Sequence, residues 1–332
     1  MDRTALWPQV IFDEIGVEDP DSWYKDPALG WHTAQGVQLT VPIGTVCQIA
    51  DADSGTDESS TSTVNLTDTP ELVRLSLAEN GGHGWLAGPA GSGKNTLTHA
   101  LLAGLAVLNS PQLLNFAIIA DDWHAAGYRE LEKLPHCVGV TATYRWPRHV
   151  AALAALIDAE VDRRSALVAT LIPQSRNHTG LPDLVLVIDQ ASTLLDHDET
   201  GALHDVLLRV VRADPALGLH LVADDHHPGD RLGDIMAHMA WGAHFHTHRA
   251  AEAMANAKST VPTRLAKPGV ALLWQASGSS DTVFRGFDPY GYGSATASLP
   301  LAQVLDAVVA SGPHPGRDAG FAAALAVAAG ER

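Results

Sequence analysis

The sequence predicts an α/β domain built on a mostly parallel sheet with helices on both faces. Three observations carry this. From Glu71 to about Asp288, short apolar runs alternate with longer segments of helical periodicity. One run, Leu184-Val185-Leu186-Val187-Ile188, is apolar at every position and therefore needs cover on both sides. A glycine-rich turn, Gly88-Pro89-Ala90-Gly91-Ser92-Gly93, joins the run Gly84–Ala87 directly to a helical pattern that opens near Thr96.

Taken in order, residues 1–49 read as a lead-in segment with three tryptophans (Trp7, Trp23, Trp31), ending in the largely apolar stretch Val37–Ile49. Residues 50–70 are acidic and rich in Ser and Thr, with almost nothing to bury, and read as a flexible loop. Residues 71–288 form the predicted domain. Its candidate strands are Leu72–Leu77, Gly84–Ala87, Leu114–Ala120, Cys137–Thr141, Leu184–Ile188, Leu219–Ala223, Ala243–Thr247 and Val270–Trp274. Between them, Leu97, Leu101, Leu105 and Leu108 recur at helical spacing in Thr96–Leu108. Val150, Leu153, Ile157, Val161 and Val168 do the same in a long helix, Pro147–Leu171. Right-handed crossovers then bring the strand C-termini to one edge, where such sheets bind ligands. Residues 289–332 are an Ala/Gly/Pro-rich tail with a terminal helix, Gly320–Gly330, and no internal repeat is visible.

Composition narrows the function classes. The 332 residues carry 21 Lys+Arg against 38 Asp+Glu, a net charge of −17, which argues against a partner bound by phosphate neutralisation such as DNA. A 46% hydrophobic content is too high for global disorder. The longest apolar run, around Ala100–Leu108, is about half of what crosses a bilayer. Met1-Asp2-Arg3 does not open a secretory signal. Cys47 and Cys137 alone exclude a disulfide framework or a cysteine-rich zinc site. A cytoplasmic protein without direct membrane insertion is expected.

The glycine-rich turn carries chemistry. Gly88 to Lys94 fits G-x-x-x-x-G-K. Glycines let backbone N–H groups converge on phosphate oxygens, the helix N-terminus adds partial positive charge, and Lys94 supplies a point charge for the β- and γ-phosphates. Gly88, Pro89, Ala90, Gly91, Ser92, Gly93, Lys94, Asn95 and Thr96 are thus the candidate phosphate-binding residues. Asn95 stands where Ser or Thr normally offers a hydroxyl to Mg²⁺, and Thr96 points elsewhere on the helix. Asp189, ending the apolar strand Leu184–Ile188, is the second candidate Mg²⁺ ligand and a candidate catalytic residue beside Gln190. A glutamine orients water but takes no proton from it, and losing a general base costs on the order of 10²–10⁴ in rate.

These residues resemble the FtsK/SpoIIIE group of P-loop ATPases and, within it, the EccC/EssC modules of type VII secretion. Leu114–Asp121, then Leu131-Glu132-Lys133-Leu134-Pro135-His136, are similar to its second strand and "LPH" segment. Val161-Asp162-Arg163-Arg164 resembles the end of its long helix, and Gly218-Leu219-His220-Leu221 its "G-x-H-L" strand. Phe12-Asp13-Glu14-Ile15-Gly16 and Val41-Pro42-Ile43-Gly44 are similar to the lead-in of an EccC module. The resemblance implies a RecA-like core that binds ATP with Mg²⁺ at subunit boundaries. It also implies self-association or contact with other ATPase modules of a secretion complex. The departures bear on hydrolysis. Asp121-Asp122-Trp123-His124 lacks the family's lysine. Asp224-Asp225 replaces Ser/Thr-Gln-Arg and places carboxylates where a phosphate would be repelled. The expected function is therefore an ATP-binding module with weak or absent hydrolysis, a structural or regulatory part of a translocation machine. The alternative is an active motor translocating protein substrates or DNA.

Other constellations weigh less. Asp225-His226-His227-Pro228 matches a short phosphoesterase motif but lacks its earlier His-x-x-x-Asp-x-Asp strand. His244, His246 and His248 alternate on a predicted strand and would share one face, yet nothing fixes a fourth ligand for zinc. Trp123 and Trp241 are expected in the core rather than over a base.

Overall fold

The computed structural model describes residues 7–14, 16–18, 20–27, 31, 37–50, 65–78, 82–142, 147–170, 181–226, 232–265, 267–276, 281–290, 300–310 and 318–328. Its strands are β1 (Thr40–Ala50), β2 (Asn65–Ser76), β3 (Gly84–Ala87), β4 (Leu114–Ala120), β5 (Cys137–Ala142), β6 (Asp183–Ile188), β7 (Leu219–Asp225), β8 (Trp241–Phe245), β9 (Val270–Gln275) and β10 (Thr282–Gly286). They form one ten-stranded sheet in the order β2-β1-β10-β9-β8-β3-β7-β6-β4-β5. From β8 to β5 every neighbouring pair is parallel. The predicted fold class holds for this block, and β9, β10, β1 and β2 continue it as an antiparallel extension.

The helices are α1 (Trp7–Glu14), α2 (Pro20–Lys25), α3 (Lys94–Leu108), α4 (Asp122–Ala125), α5 (Arg129–Glu132), α6 (Pro147–Thr170), α7 (Ala191–Asp196), α8 (Ala202–Val211), α9 (Gly233–Met236), α10 (Ala250–Ala257), α11 (Pro300–Ala310) and α12 (Ala319–Ala328). Strand alternation divides the core between the two faces. Phe116, Ile118, Val185 and Val187 pack with α1, α2, α3 and α11. Ala117, Ile119, Leu184, Leu186 and Ile188 pack with α6, α7, α8 and α12. Helix α3 is buried almost all round, from Leu97 to Leu108, because the sheet covers one side and the lead-in and tail helices the other. The four leucines read from the sequence are all buried.

Two differences from the sequence reading have clear causes. Strand β2 begins at Asn65, within the stretch read as loop, because ladder pairing with β1 (Ala50 with Asn65, Gln48 with Thr67) uses backbone groups and ignores side-chain polarity. It is an edge strand, which is why Pro70 is tolerated inside it. The rest of that loop, residues 51–64, lies outside the described residues. Strand β1 carries a glycine and register shifts against β2 that blur its alternation, β10 is short and ends in Gly286, and the pairing of both is long-range.

Candidate functional site

Strand β7 lies between β3 and β6, so the turn after β3, the end of β7 and the end of β6 are neighbours on one edge. The Gly88 amide donates to Asp225 O at 3.2 Å, fastening the glycine-rich turn to β7. Ile188 pairs with Ala223 in register, which brings Asp189 level with Asp224. The fold thus gathers Lys94, Asp189 and Gln190 from positions some hundred residues apart.

The turn has the shape of an anion cradle. Gly93 sits at φ 111°, and a Cβ there would lie 2.9 Å from Gly269 Cα, so no other residue fits. No side chain caps α3, leaving its first-turn N–H groups toward the edge. Lys94 is buried, and its Nζ donates to Gly88 O at 2.6 Å and reaches Pro89 O at 3.4 Å. An ammonium has three donors, so these bonds shape the turn and still leave one N–H for a phosphate oxygen. Burial lowers the Lys94 pKa, while Asp224, Asp189 and Asp225 push it back up. Asn95 and Thr96 are half-buried in the same first turn.

Asp189 is buried, with Oδ2 accepting from the Tyr128 hydroxyl at 2.8 Å and Oδ1 without a protein partner. The Tyr128 ring stacks on His99, with centroids 5.1 Å apart and planes 3° from parallel. His99 stands on α3 with its ring nitrogens 2.6 Å from Asn95 O and 3.0 Å from Gly127 O. The first turn of α3, the segment before α5 and Asp189 therefore form one bonded and stacked unit. Burial raises the Asp189 pKa, and the Tyr128 bond, His124 and Lys94 oppose it. Tyr128 and His99 escaped the sequence reading. Tyr128 is 61 residues from Asp189, and the one cue for His99 is its place a helical turn after Asn95.

Asp224 and Asp225, expected to face a phosphate, are buried and hydrogen-bonded to backbone amides near the start of α7, with Asp224 Oδ2 left without a partner. Asp224 Oδ1 accepts from Gln190 N at 3.2 Å, while Asp225 accepts from Ser192 N and His226 N, both at 2.6 Å. Burial, then the nearby Asp189, pushes the Asp224 carboxyl well above the usual range. Gln190 takes the left-handed conformation at φ 58°, and its side-chain amide reaches His226 Nε2 at 3.4 Å.

The residues fit a phosphate chain: uncapped amides, a glycine-only approach and a lysine with a free donor. For Mg²⁺ the candidates are the unpartnered Asp189 Oδ1 and Asn95, which stands half-buried in the first turn of α3. That pair leaves most of an octahedral shell to water and phosphate. Among the described residues no group of three or more His, Cys, Asp or Glu is arranged around a metal position.

The remaining candidates fall away from the site. Strand β8 stops at Phe245, so His244 is buried in it, while His246 and His248 lie beyond and meet each other at 3.3 Å. The shared face expected for the three histidines does not form, because strand alternation ends before the second. Trp241 is buried as expected, but Trp123 is 85% exposed on the four-residue α4, too short to fold it back over the sheet. His227 and Pro228 of the short phosphoesterase match lie outside the described residues.

The fold is that of a P-loop NTPase domain, with a mostly parallel sheet and a glycine-rich turn feeding a helix. Residues 50–171 match the FtsK/SpoIIIE family model, and the chain is similar to EccC and EssC proteins. The chain is 27% identical over 270 residues to ESX-4 secretion system protein EccC4 of Mycobacterium tuberculosis, covering 75% of this chain and 19% of that protein. The cytoplasmic domain of the type VII secretion ATPase EccC of Thermomonospora curvata superposes with a TM-score of 0.71 at 21% identity. That match covers 90% of this chain and 34% of the other. ATPases 2 and 3 of EssC from Geobacillus thermodenitrificans give a TM-score of 0.62 at 15% identity, over 83% of this chain and 50% of the other. At those identities the two structures speak for the fold. The chain spans about a fifth of the EccC4 relative. Among the described residues no helix is long and apolar enough to cross a membrane.

Proposed function

We propose that this chain is a nucleotide-binding FtsK-type module, taking ATP and Mg²⁺ at the Gly88–Thr96 turn, with weak or absent hydrolysis. In this reading it serves a secretion-type translocation machine as a structural or regulatory part. The observation that carries it is the contrast within one site. The turn keeps its uncapped helix start and its folded lysine, while Gln190 stands beside Asp189 with its amide held by His226. Lys94 and the amides of residues 88–96 would hold the phosphates. Asp189 and Asn95 would hold Mg²⁺, which when bound neutralises phosphate charge. Tyr128 orients Asp189. A glutamine in this position accepts no proton from water, so turnover lacks a base.

Calorimetric titration of Mg²⁺-ATP and Mg²⁺-ADP into the wild type and Lys94→Ala tests the binding. Heat is expected from the wild type, with at least about a tenfold loss of affinity in the variant. Equal, negligible heats with both nucleotides would end the proposal. A working motor is the second reading, favoured by the retained Asp189 at the strand end. It requires phosphate release abolished by Asp189→Ala. Gln190→Glu separates the two, because a large rate gain fits a missing base and no gain fits a motor that uses another.

A further inference from the structure

We propose that Asp224 is a further ligand of the Mg²⁺ that the site takes, so that a pair of carboxylates holds the ion, Asp189 from the end of β6 and Asp224 from the end of β7. This rests on the reading of Asp189 as a Mg²⁺ ligand and adds a residue to it.

Strand register puts the two side chains together. Val187 pairs with Val222 and Ile188 with Ala223 in adjacent parallel strands. Val187 and Val222 pack in the cluster that includes α3, and alternation returns Asp189 and Asp224, two residues further on, to that same face. The Asp189 amide still donates to Ile119 O of β4 at 2.9 Å, so the ladder continues to it. Asp224 Oδ1 accepts at 3.2 Å from Gln190 N, the amide directly after Asp189, which keeps the two carboxyls close. Lys94, at the start of α3, interacts electrostatically with both.

The bonding leaves each of them one oxygen for a cation. Asp189 is 1% exposed and Asp224 2% exposed, yet Asp189 Oδ1 and Asp224 Oδ2 have no protein partner. Asp225 differs, since its Oδ2 accepts from Ser192 N and its Oδ1 from His226 N. Two unpartnered carboxyl oxygens at such depth are costly unless positive charge meets them. Lys94 supplies only part of it, because its Nζ donates to Gly88 O and Pro89 O. Burial, then the nearby Asp189, raises the Asp224 carboxyl and Lys94 opposes this, as expected of crowded carboxyls short of counter-charge. A divalent ion supplies that charge. Hard cations take carboxylate oxygens, and Mg²⁺ is commonly held by one or two of them with water and phosphate completing its shell. Asn95 is neutral, so Asp224 gives the ion a second charged ligand that Asn95 does not.

Mn²⁺ alone, titrated into the nucleotide-free protein in about 0.15 M salt and read by the paramagnetic signal of the free ion, tests the pair. The wild type should bind it, and Asp224→Asn, which keeps the acceptor for Gln190 N, should bind it at least about tenfold more weakly. Asp189→Asn should do the same, and Asn95→Ala should lose less than either. Urea unfolding shows that the variants are folded, and added Mn²⁺ should raise the wild-type midpoint while leaving that of Asp224→Asn unmoved. Asp224→Ser replaces Asp224→Asn if the latter does not fold. A smaller loss in Asp224→Asn, or a greater loss in Asn95→Ala than in Asp224→Asn, would overturn the inference. So would a wild type that binds no Mn²⁺, and calorimetric heat with Mg²⁺-ADP would then show that the phosphate cradle stands without the carboxylate pair. Mn²⁺ binding that Asp224→Asn abolishes, with no heat from either nucleotide, would uphold the carboxylate pair and overturn the cradle reading alone.

Discussion

Asp189 holds the balance of the site at the scale of single residues. A buried carboxyl with one oxygen unpartnered is costly, and the Tyr128 hydroxyl meets part of that cost. Tyr128→Phe should therefore lower stability by roughly 1–3 kcal/mol, because Asp189 loses its one neutral donor. Tyr128→Leu should lower it further, since the stack on His99 goes as well. Urea unfolding of the three proteins checks the order, and equal midpoints would show that the hydroxyl contributes nothing. Asp189 was legible in the sequence because an apolar strand points to its own end. Tyr128 was not, because a tyrosine in a short irregular segment acquires a partner only through the fold.

At the scale of elements, the two ends of the parallel strands do different work. The C-terminal ends carry the candidate site. The N-terminal ends of β6 and β7 are clamped by Arg164 from α6. Its guanidinium donates to Glu160 at 2.6 Å, Leu217 O at 2.8 Å, Gly218 O at 3.2 Å and Pro182 O at 2.9 Å. The Val161–Arg164 and Gly218–Leu221 motifs thus meet at the edge away from the glycine-rich turn, and their contacts are structural. Arg164→Ala should cost about 1–3 kcal/mol, since Leu217 O and Pro182 O lose the guanidinium while Glu160 keeps Arg163 and Gly218 O keeps the Leu184 amide. Arg164→Lys should rescue only part, because one ammonium cannot reproduce the fork. Both are read by chemical unfolding. Sheet packing is similarly exacting at Gly84, where a Cβ would sit 1.9 Å from the Trp241 ring. Gly84→Ala should destabilise by about 1–3 kcal/mol through overpacking, with a matching fall in unfolding midpoint.

For the whole molecule, two buried neutral histidines contribute to the acid side of the stability profile. Burial lowers His83 and His244 to about 4, His83 with help from His220 and His238. An unfolded histidine takes its proton near 6.5, so between that value and about 4 the unfolded chain binds more protons. Stability should fall as pH drops through this window, by about 1.4 kcal/mol per unit for each histidine. The raised Asp224 carboxyl acts in the opposite sense, its share being lost as pH rises. Unfolding at pH 7 and pH 5 of the wild type and His244→Leu isolates one contribution. The variant should lose about 2 kcal/mol less on acidification, and parallel losses would assign the sensitivity elsewhere. The net charge of −17 also weighs on the motor alternative, since it opposes a track of nucleic acid more than one of protein.

The sequence by itself determined the parallel block, the helix after the glycine-rich turn, and the strand leading to Asp189. Each depends on periodicity or on glycine and lysine at fixed spacing, information that is local along the chain. Only the tertiary structure decided that β1, β2, β9 and β10 extend the sheet, that Tyr128 and His99 tie α3 to Asp189, and that Asp224 and Asp225 lie buried against the start of α7. The reason is physical: backbone ladders pair strands of any polarity, and a buried polar group takes its character from partners that the fold brings from distant parts of the chain.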